Sequence, residues 1–340
     1  MARVIAFGEI MLRLAPEGYK RFVQADKFDV VYGGAEANVA VSLANFGIPV
    51  SFVTKLPAHE MGDAALNELR RFGVDTKLIT RGGERLGIYF AEKGASQRSS
   101  SIIYDRAGSS FQTASPSDFD WDDIFDDAAW FHFTGITPAL GDNVAAICLE
   151  ACKKAKAKNV TVSCDLNFRK KLWSAEKAGK VMTELMEYVD VCITNEEDAE
   201  KVFGICAKNT DVTGGTLDKK SYEDVGKQLA DRFHLRQVAV TLRTSLGASD
   251  NKWAAILYDG KNYYCSKEYV IRIVDRIGGG DSFCAGLIYG NLQGFEPQKT
   301  VDFAAAASCL KQTIEGDFNH ISVDEAEKLM GGDASGRVNR

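Results

Sequence analysis

The segment Asp275-Arg-Ile-Gly-Gly-Gly-Asp281-Ser-Phe-Cys-Ala-Gly-Leu-Ile-Tyr-Gly290 is the most informative part of this chain. Three consecutive glycines precede Asp281, and the apolar run over residues 283–289 predicts a buried helix. Glycines at the start of a helix let the backbone turn tightly and bring its free N–H groups close to a ligand. Those N–H groups and the helix dipole favour an anion such as phosphate.

A carboxylate at the same place has two interpretations. Asp281 would repel a bound phosphate, yet it makes sense if it accepts the proton of a hydroxyl that attacks phosphorus. The N–H groups of the turn would then hold the phosphoryl charge. Alternatively, Asp281 only caps its helix. The segment alone does not choose between the two.

Composition limits the class of protein. The 340 residues are 45% hydrophobic, which suffices for one large α/β domain or two smaller ones. A formal net charge of −6 argues against general binding to nucleic acid or to anionic membranes. No apolar run approaches the length of a membrane span, and the first residues lack a signal-peptide layout. Most of the 8 cysteines lie in apolar runs, which is typical of buried residues in a reducing cytoplasm.

Apolar strand patterns alternate with helical patterns along most of the chain, as in a series of βαβ units. The alternation breaks at residues 86–92 and 99–106, which resemble two strands of a hairpin with no helix between them. We therefore predict a small β-sheet attached to the α/β body, which a strand at residues 28–32 could join.

Polar side chains follow several strands. Asp165, Asn167 and Arg169 are spaced two residues apart, which predicts one face at a strand end, where doubly wound sheets bind ligands. An ion pair between Asp165 and Arg169 is the alternative. Asn195 and the acids up to Asp198 start a helix, either as ordinary partners of its dipole or as holders of Mg²⁺ or its waters.

Two further segments carry expectations. Residues 241–247 are predicted to form a loop that could carry a nucleotide, and residues 331–340 a loose tail. There is no G-x-x-x-x-G-K-[ST] motif, so the chain is not a P-loop enzyme, and no G-x-G-x-x-G follows the first strand.

Two motifs carry a family resemblance. Gly33-Gly34 with Asn38, and Asp275-x-x-Gly-Gly-Gly-Asp281-Ser-Phe, resemble the two signatures of the ribokinase-like (PfkB) carbohydrate kinases. The resemblance extends to about residue 330. It implies a single doubly wound α/β domain over residues 1–340, with a mostly parallel central sheet flanked by helices. It also implies a β-sheet lid formed by about residues 11–33 and 85–110.

The resemblance also implies roles for individual residues. Asp281 would be the general base, and the N–H groups of Gly278, Gly279 and Gly280 would hold the phosphoryl group. Sugar hydroxyls would be held by Gly34 and Asn38. The nucleotide, ATP with Mg²⁺, would be contacted by Asn195, Thr241, Ser245, Gly247 and Asn319.

Three positions depart from the family pattern. Gly279 replaces the usual Ala between the glycines, which does not remove the proposed base or the anion site. Arg276 replaces the usual Thr, which puts in doubt the monovalent-cation site that the family sometimes has near Asp275. Asp198 replaces the usual Glu, so its part in holding the metal is left open.

The choice of substrate depends on arginines. Within the family, segments such as Gly8-Glu-Ile-Met-Leu-Arg-Leu-Ala-Pro16 are most similar to the members that phosphorylate a sugar acid, 2-keto-3-deoxygluconate. Planar guanidinium groups bind a carboxylate through two N–H groups. The predicted pocket for that carboxylate comprises Arg106, Arg169, Tyr89 and Tyr104. If both arginines instead pair with nearby acids, a fructokinase or another neutral-sugar kinase is the alternative.

Two expectations concern other partners. A sugar- or nucleotide-binding protein without catalysis is the alternative from another class, and the intact Gly-Gly-Gly-Asp281 argues against it. Apolar lid strands with free edges could pair across a homodimer or a higher homo-oligomer.

Overall fold

The structure is a computed structural model that describes residues 3–206 and 219–333. The strands within these ranges are β1 (Arg3–Phe7), β2 (Met11–Pro16), β3 (Phe28–Gly33), β4 (Val50–Val53), β5 (Lys55–Leu56), β6 (Thr80–Arg81), β7 (Ile88–Glu92), β8 (Ser101–Asp105), β9 (Ala128–Thr134), β10 (Thr161–Asp165), β11 (Val191–Thr194), β12 (Gln237–Ser245), β13 (Asp250–Tyr258), β14 (Tyr263–Cys265) and β15 (Tyr269–Arg272). The α-helices are α1 (Ala35–Asn45), α2 (Glu60–Arg71), α3 (Trp121–Ile124), α4 (Ile136–Ala139), α5 (Asp142–Ala157), α6 (Ala175–Met186), α7 (Glu196–Phe203), α8 (Lys219–Phe233), α9 (Gly279–Leu292), α10 (Pro297–Lys311) and α11 (Val323–Gly331).

A large central sheet has the order β14-β13-β12-β11-β10-β9-β1-β4, with β15 also paired to β13. The strands from β12 to β4 are all parallel, and β13 turns back antiparallel to β12. After β1 the chain forms the neighbouring strand β4 on one side of β1, and it later forms β9 on the other side. The carboxyl end of β1 therefore lies at a topological switch point, where open α/β sheets bind ligands. The predicted α/β class with a mostly parallel sheet is confirmed.

Both faces of the central sheet are buried. In β1, Val4 and Ala6 belong to one apolar core while Ile5 and Phe7 belong to the other. The first core also contains residues of α1, α9 and α10, and the second contains residues of α5, α6 and α8. Strands covered by helices on both faces need apolar side chains at every position, which explains the continuous apolar runs in the sequence.

A second, smaller sheet has the order β3-β2-β7-β8. The predicted hairpin is present, since β7 and β8 pair antiparallel, and β3 joins the same sheet through β2. Strand β2 was not predicted because nearly all of its side chains are buried, so it shows no alternation of polar and apolar residues. Val30 and Ile103, on the outer strands, are exposed. Association through this sheet stays a prediction, as does the division into one domain with a lid and a tail.

One local prediction is corrected, and another lies almost wholly outside the described residues. Residues 241–245 are not a loop: β12 continues to Ser245 because β13 pairs with it along its whole length. The residues of the predicted tail from 334 onward lie outside the described residues, while α11 extends to Gly331.

The burial predicted for Cys148, Cys164, Cys192, Cys284 and Cys309 is confirmed. No helix in residues 3–206 and 219–333 is long and apolar enough to cross a membrane.

Close packing between α9 and α10 gives a first testable prediction. A Cβ atom at Gly286 would lie 2.7 Å from Cα of Ala304, so Gly286→Ala must force two helix backbones apart. We expect a loss of about 1–3 kcal/mol in stability, seen as a lower melting temperature.

Gly226→Ala is the matched control, because its Cβ would meet only the side chain of Tyr258 at 3.5 Å. That variant should be neutral or more stable by up to about 1 kcal/mol. Equal melting temperatures for the two variants would contradict the packing argument.

Candidate active site

The conformation and the close neighbours of the turn before α9 explain why two of its three residues are glycine. Gly278 has φ of 80°, and a Cβ there would lie 2.1 Å from the carbonyl oxygen of Asp317. A Cβ at Gly279 would lie 2.9 Å from the Gln312 side chain, whereas a Cβ at Gly280 would have none of the described residues within 4 Å. Glycine is therefore needed at 278 for both conformation and space.

The same turn leaves several N–H groups free. The N–H of Gly279 donates to the carbonyl of Arg276 at 3.3 Å. In the part of the chain that the structure describes, no acceptor is found for those of Gly278, Gly280 and Asp281. Free N–H groups in the first turn of a helix form an anion site.

Asp281 lies beside this turn and is bound by a distant residue. Asn38 Nδ2 donates to Asp281 Oδ2 at 2.6 Å, and Asn38 Oδ1 accepts from the N–H of Gly34 at 3.3 Å. Burial raises the pKa of Asp281 to about 7, with help from the charge of Glu36 and against the bond from Asn38. This geometry differs from that of a helix cap, in which the carboxylate accepts from N–H groups of its own first turn.

Helix α1 brings Asn38 to this position. A Cβ at Gly34 would lie 1.9 Å from the carbonyl oxygen of Glu9, so only glycine lets α1 start against the end of β1. Glu36, in the same turn, accepts from the N–H of Thr134 at 2.9 Å and from the hydroxyls of Thr134 and Thr137 at 2.8 and 2.7 Å. Glu36 was not identified from the sequence, although an acid between Gly34 and Asn38 in an otherwise apolar segment was a usable signal.

A buried group of charges supports the turn from the other side. Arg13 on β2 binds Asp317 Oδ1 through Nη1 and Asp275 Oδ2 through Nη2, both at 2.7 Å. All three side chains are at most 3% exposed. The Tyr89 hydroxyl donates to Asp317 as well, so this hydroxyl is engaged while Tyr89 still lines the cleft. Arg13 and Asp317 were not identified from the sequence.

The two predicted substrate arginines differ. Arg106 is buried and binds the Glu9 carboxylate, through Nε at 2.9 Å and also through Nη2, with its guanidinium 5.5 Å from the centre of the Tyr104 ring. The pairing alternative therefore holds for Arg106, with Glu9 as its partner. Arg169 is exposed in the cleft, and no carboxylate whose side chain the structure describes lies within 4.0 Å of its guanidinium.

The end of β10 does not follow the predicted alternation. Asn167 has φ of 37°, a left-handed conformation that Asn tolerates, so residues 165, 167 and 169 do not share a strand face. All three nevertheless line the same cleft, and the ion pair between Asp165 and Arg169 is not formed. Burial and the charges of Asp198 and Asp281 raise the pKa of Asp165 to about 8.

Asn195 is the N-cap of α7. Its Oδ1 accepts from the N–H of Asp198 at 2.8 Å, and its Nδ2 donates to Asp198 Oδ2 at 3.0 Å. Burial raises the pKa of Asp198 to about 6. Within the described ranges, no three His, Cys, Asp or Glu side chains are grouped so that they could hold a metal. The carboxylates of Asp165 and Asp198 still suit a Mg²⁺ ion that takes its remaining ligands from water and phosphate.

The predicted nucleotide residues separate into two sets. Thr241 and Ser245 line the cleft, together with Arg243 and Arg276, which sequence analysis did not assign to it. Gly247 instead packs against the carbonyl of Ser96, and Asn319 is buried, with its Nδ2 donating to Ser282 Oγ at 3.2 Å. Neither Gly247 nor Asn319 belongs to the lining of the cleft.

The cleft itself has a volume of about 1650 Å³. The small sheet borders it through Tyr89 and Tyr104, and β12 borders it through Thr241. Sites for one small molecule usually measure about 300–1,000 Å³, so this cleft has room for two ligands side by side. Asp281 and the free N–H groups belong to its lining.

Comparison with known proteins agrees with this geometry. The model of the pfkB family of carbohydrate kinases matches residues 1–320. The chain belongs to this PfkB family. The predicted family and the prediction of a carbohydrate kinase are thereby confirmed.

Three relatives are similar over nearly their whole length. The solved structure of the 2-dehydro-3-deoxygluconokinase of Thermotoga maritima is 52% identical, with a TM-score of 0.95, over 98% of this chain and 100% of that one. The 2-dehydro-3-deoxygalactonokinase of Haloferax volcanii is 32% identical over 98% of each chain. The 2-dehydro-3-deoxygluconokinase of Thermoproteus tenax is 28% identical over 97% of this chain and 94% of its own.

Proposed function

We propose that this PfkB kinase transfers the γ-phosphoryl group of Mg·ATP to the terminal (O6) hydroxyl of 2-keto-3-deoxygluconate, also called 2-dehydro-3-deoxygluconate. The observation that carries the choice of a sugar acid is the guanidinium of Arg169, which is exposed in the same cleft as Asp281 and forms no ion pair with any carboxylate side chain that the structure describes. The names of two of the three relatives support the same substrate.

The sugar acid would bind between the small sheet and the end of β10. Arg169 supplies a planar pair of N–H donors for its carboxylate. Glu9 takes two N–H donors of Arg106, so this arginine keeps others for the ligand. Asn38 and the backbone at Gly34 would hold hydroxyls near Asp281.

The nucleotide would bind along β12. Thr241 and Ser245 supply hydroxyls there, and Arg243 and Arg276 supply positive charge toward the phosphates. Burial lowers the pKa of Arg276, and the nearby charge of Arg243 lowers it further. An anionic ligand between them would relieve this repulsion.

Phosphoryl transfer follows from the relation between Asp281 and the glycine turn. The Asp281 carboxylate accepts the proton of the attacking hydroxyl while the hydroxyl oxygen forms its bond to the γ-phosphorus. The bond from that phosphorus to the bridging oxygen breaks, and ADP leaves with the electron pair. The N–H groups of Gly278, Gly280 and Asp281 stabilise the charge on the transferring group. Mg²⁺, held by Asp165 and Asp198 through water, would neutralise phosphate charge when bound.

A neutral-sugar kinase is the second candidate, and one observation favours it. Glu9 neutralises Arg106, so among the described side chains the pocket keeps one arginine without a direct ion pair instead of the predicted two. A fructokinase would use the same Asp281 and the same turn.

Measuring ADP release from Mg·ATP tests the proposal directly. The acceptors are 2-keto-3-deoxygluconate, its C4 epimer 2-keto-3-deoxygalactonate, fructose, ribose and no sugar. We expect the highest kcat/KM with 2-keto-3-deoxygluconate. The control is Asp281→Asn, which should lose turnover by about 100-fold or more while still binding ligands, because general-base catalysis contributes 10²–10⁴-fold.

Each other outcome has a definite meaning. Preference for fructose would retain Asp281 as the base and overturn the sugar-acid assignment. Substantial turnover by Asp281→Asn would show that another group accepts the proton.

Arg169→Ala tests the carboxylate contact. A charge-assisted hydrogen bond contributes about 1.5–3 kcal/mol, so the KM for the sugar acid should rise about tenfold or more. The KM for ATP should change little. Arg85→Ala is the matched control, because Arg85 binds Asp105 at the surface and does not line the cleft. An unchanged KM for the sugar acid in Arg169→Ala would refute this role.

The pKa of Asp281 predicts a pH profile. Asp281 accepts a proton only when it is ionised, so kcat/KM for the sugar should rise with pH through an apparent pKa of about 7. Asn38→Ala removes an N–H donor that stabilises the carboxylate, so the pKa rises further and the rising limb moves to higher pH. Both proteins use the same substrates, so ionisation of ATP cannot produce this difference. Superimposable profiles would contradict the assignment of this limb to Asp281.

A further inference from the structure

Lys311, the last residue of α10, is completely buried. Its ammonium group faces three backbone carbonyl oxygens, those of Gly316 at 2.6 Å, of Asp275 at 3.4 Å and of Ile277. An ammonium group has three N–H donors and no acceptor. The three oxygens therefore satisfy it completely.

These oxygens come from two segments that border the glycine turn. Asp275 and Ile277 lead directly into Gly278, while Gly316 precedes Asp317, whose carbonyl lies against Gly278. The stem of Lys311 passes directly beside the turn, since a Cβ at Gly278 would lie 3.2 Å from Lys311 Cε. The ammonium therefore holds together the backbone on which the phosphate-binding N–H groups depend.

The surrounding charges are balanced without a direct ion pair to Lys311. Arg13 binds the carboxylates of Asp275 and Asp317 directly, whereas no carboxylate of residues 3–206 and 219–333 lies within 4.0 Å of the Lys311 ammonium. A set of backbone carbonyls is the environment that replaces the water around a monovalent cation such as K⁺ in proteins. Here a lysine fills such an environment with its own charge.

The residues therefore do not fit a free monovalent cation at this place. In the sequence, Arg276 was the residue that put the monovalent-cation site in doubt. Its side chain extends away from these carbonyl oxygens, however, and donates to the carbonyl of Ala248 at 3.2 Å. Lys311 is the residue that binds these backbone carbonyl oxygens.

We propose that Lys311 is a tethered cation, a positioning residue that fixes the turn at residues 275–278 and makes phosphoryl transfer independent of free monovalent cations. The kinetic part of this inference rests on the proposed function. Thermal unfolding provides a second readout that needs no substrate.

The first experiment compares wild-type turnover in KCl, NaCl and choline chloride at equal ionic strength, and we expect equal rates. Lys311→Ala removes the ammonium and leaves space for an ion. Its kcat in choline chloride should fall about tenfold or more, because misplaced N–H donors stabilise the transition state poorly. KCl or ammonium chloride should restore part of that loss. Lys311→Met fills the space without charge and should be slow in every salt.

The second experiment measures melting temperatures in the same salts. KCl or ammonium chloride should raise the melting temperature of Lys311→Ala above its value in choline chloride, because a bound ion stabilises the folded state. The melting temperatures of wild type and of Lys311→Met should not depend on which of these salts is present. Lys328→Ala, which removes an exposed lysine of α11, is the control and should match wild type throughout.

Three results would overturn the proposal. These are wild-type turnover that rises several-fold in KCl over choline chloride, full kcat of Lys311→Ala in choline chloride, and no effect of any cation on either the rate or the melting temperature of Lys311→Ala. If no acceptor tested for the proposed function is phosphorylated, the melting temperatures still decide the role of Lys311.

Discussion

The buried contact of Arg13 with Asp275 and Asp317 is the constraint on which the site depends. It joins a strand of the small sheet, the segment before α9 and the segment after α10, which are far apart in sequence. An unpaired charge in this position would cost several kcal/mol, so none of the three segments can reach its position without the others. The small sheet is consequently attached to the glycine turn before α9 by charge, and Tyr89 extends the contact to the lining of the cleft.

The cleft concentrates acids whose charges oppose folding. The pKa values of Asp281, Asp165 and Asp198 are raised to about 7, 8 and 6, mainly because burial disfavours the charged form. Their raised pKa values mean that the folded protein binds protons more tightly than the unfolded chain. The stability gained in this way is complete below the ordinary pKa of 3.8 and is lost as pH rises through these values. A carboxylate that can accept a proton near neutral pH is thus obtained at the expense of stability, which is the arrangement that the proposed general base requires.

The sequence was informative where a feature is local. Three glycines before Asp281 indicated an anion site, and the missing helix between residues 92 and 99 indicated the hairpin of the small sheet. Contacts between distant residues could not be predicted, because nothing near Arg13 indicates that its partners lie 262 and 304 positions away. In the sequence, Lys311 lies at the C-terminal end of an apolar helix pattern, where a basic residue is usual. Nothing local therefore indicated that its side chain is buried. The left-handed conformation of Asn167 likewise depends on the surrounding fold.

Asp275 connects these observations, because two cations bind different parts of the same residue. Its carboxylate binds Arg13 from the small sheet, and its carbonyl binds Lys311 from α10. The turn that begins at this residue is therefore fixed both by the small sheet and by α10. A free ion would leave the second contact dependent on the salt concentration, whereas a side chain is always present and loses only about 2 kcal/mol of rotamer freedom. The geometry of the proposed phosphate site is thus part of the fold, and substrate binding does not have to create it.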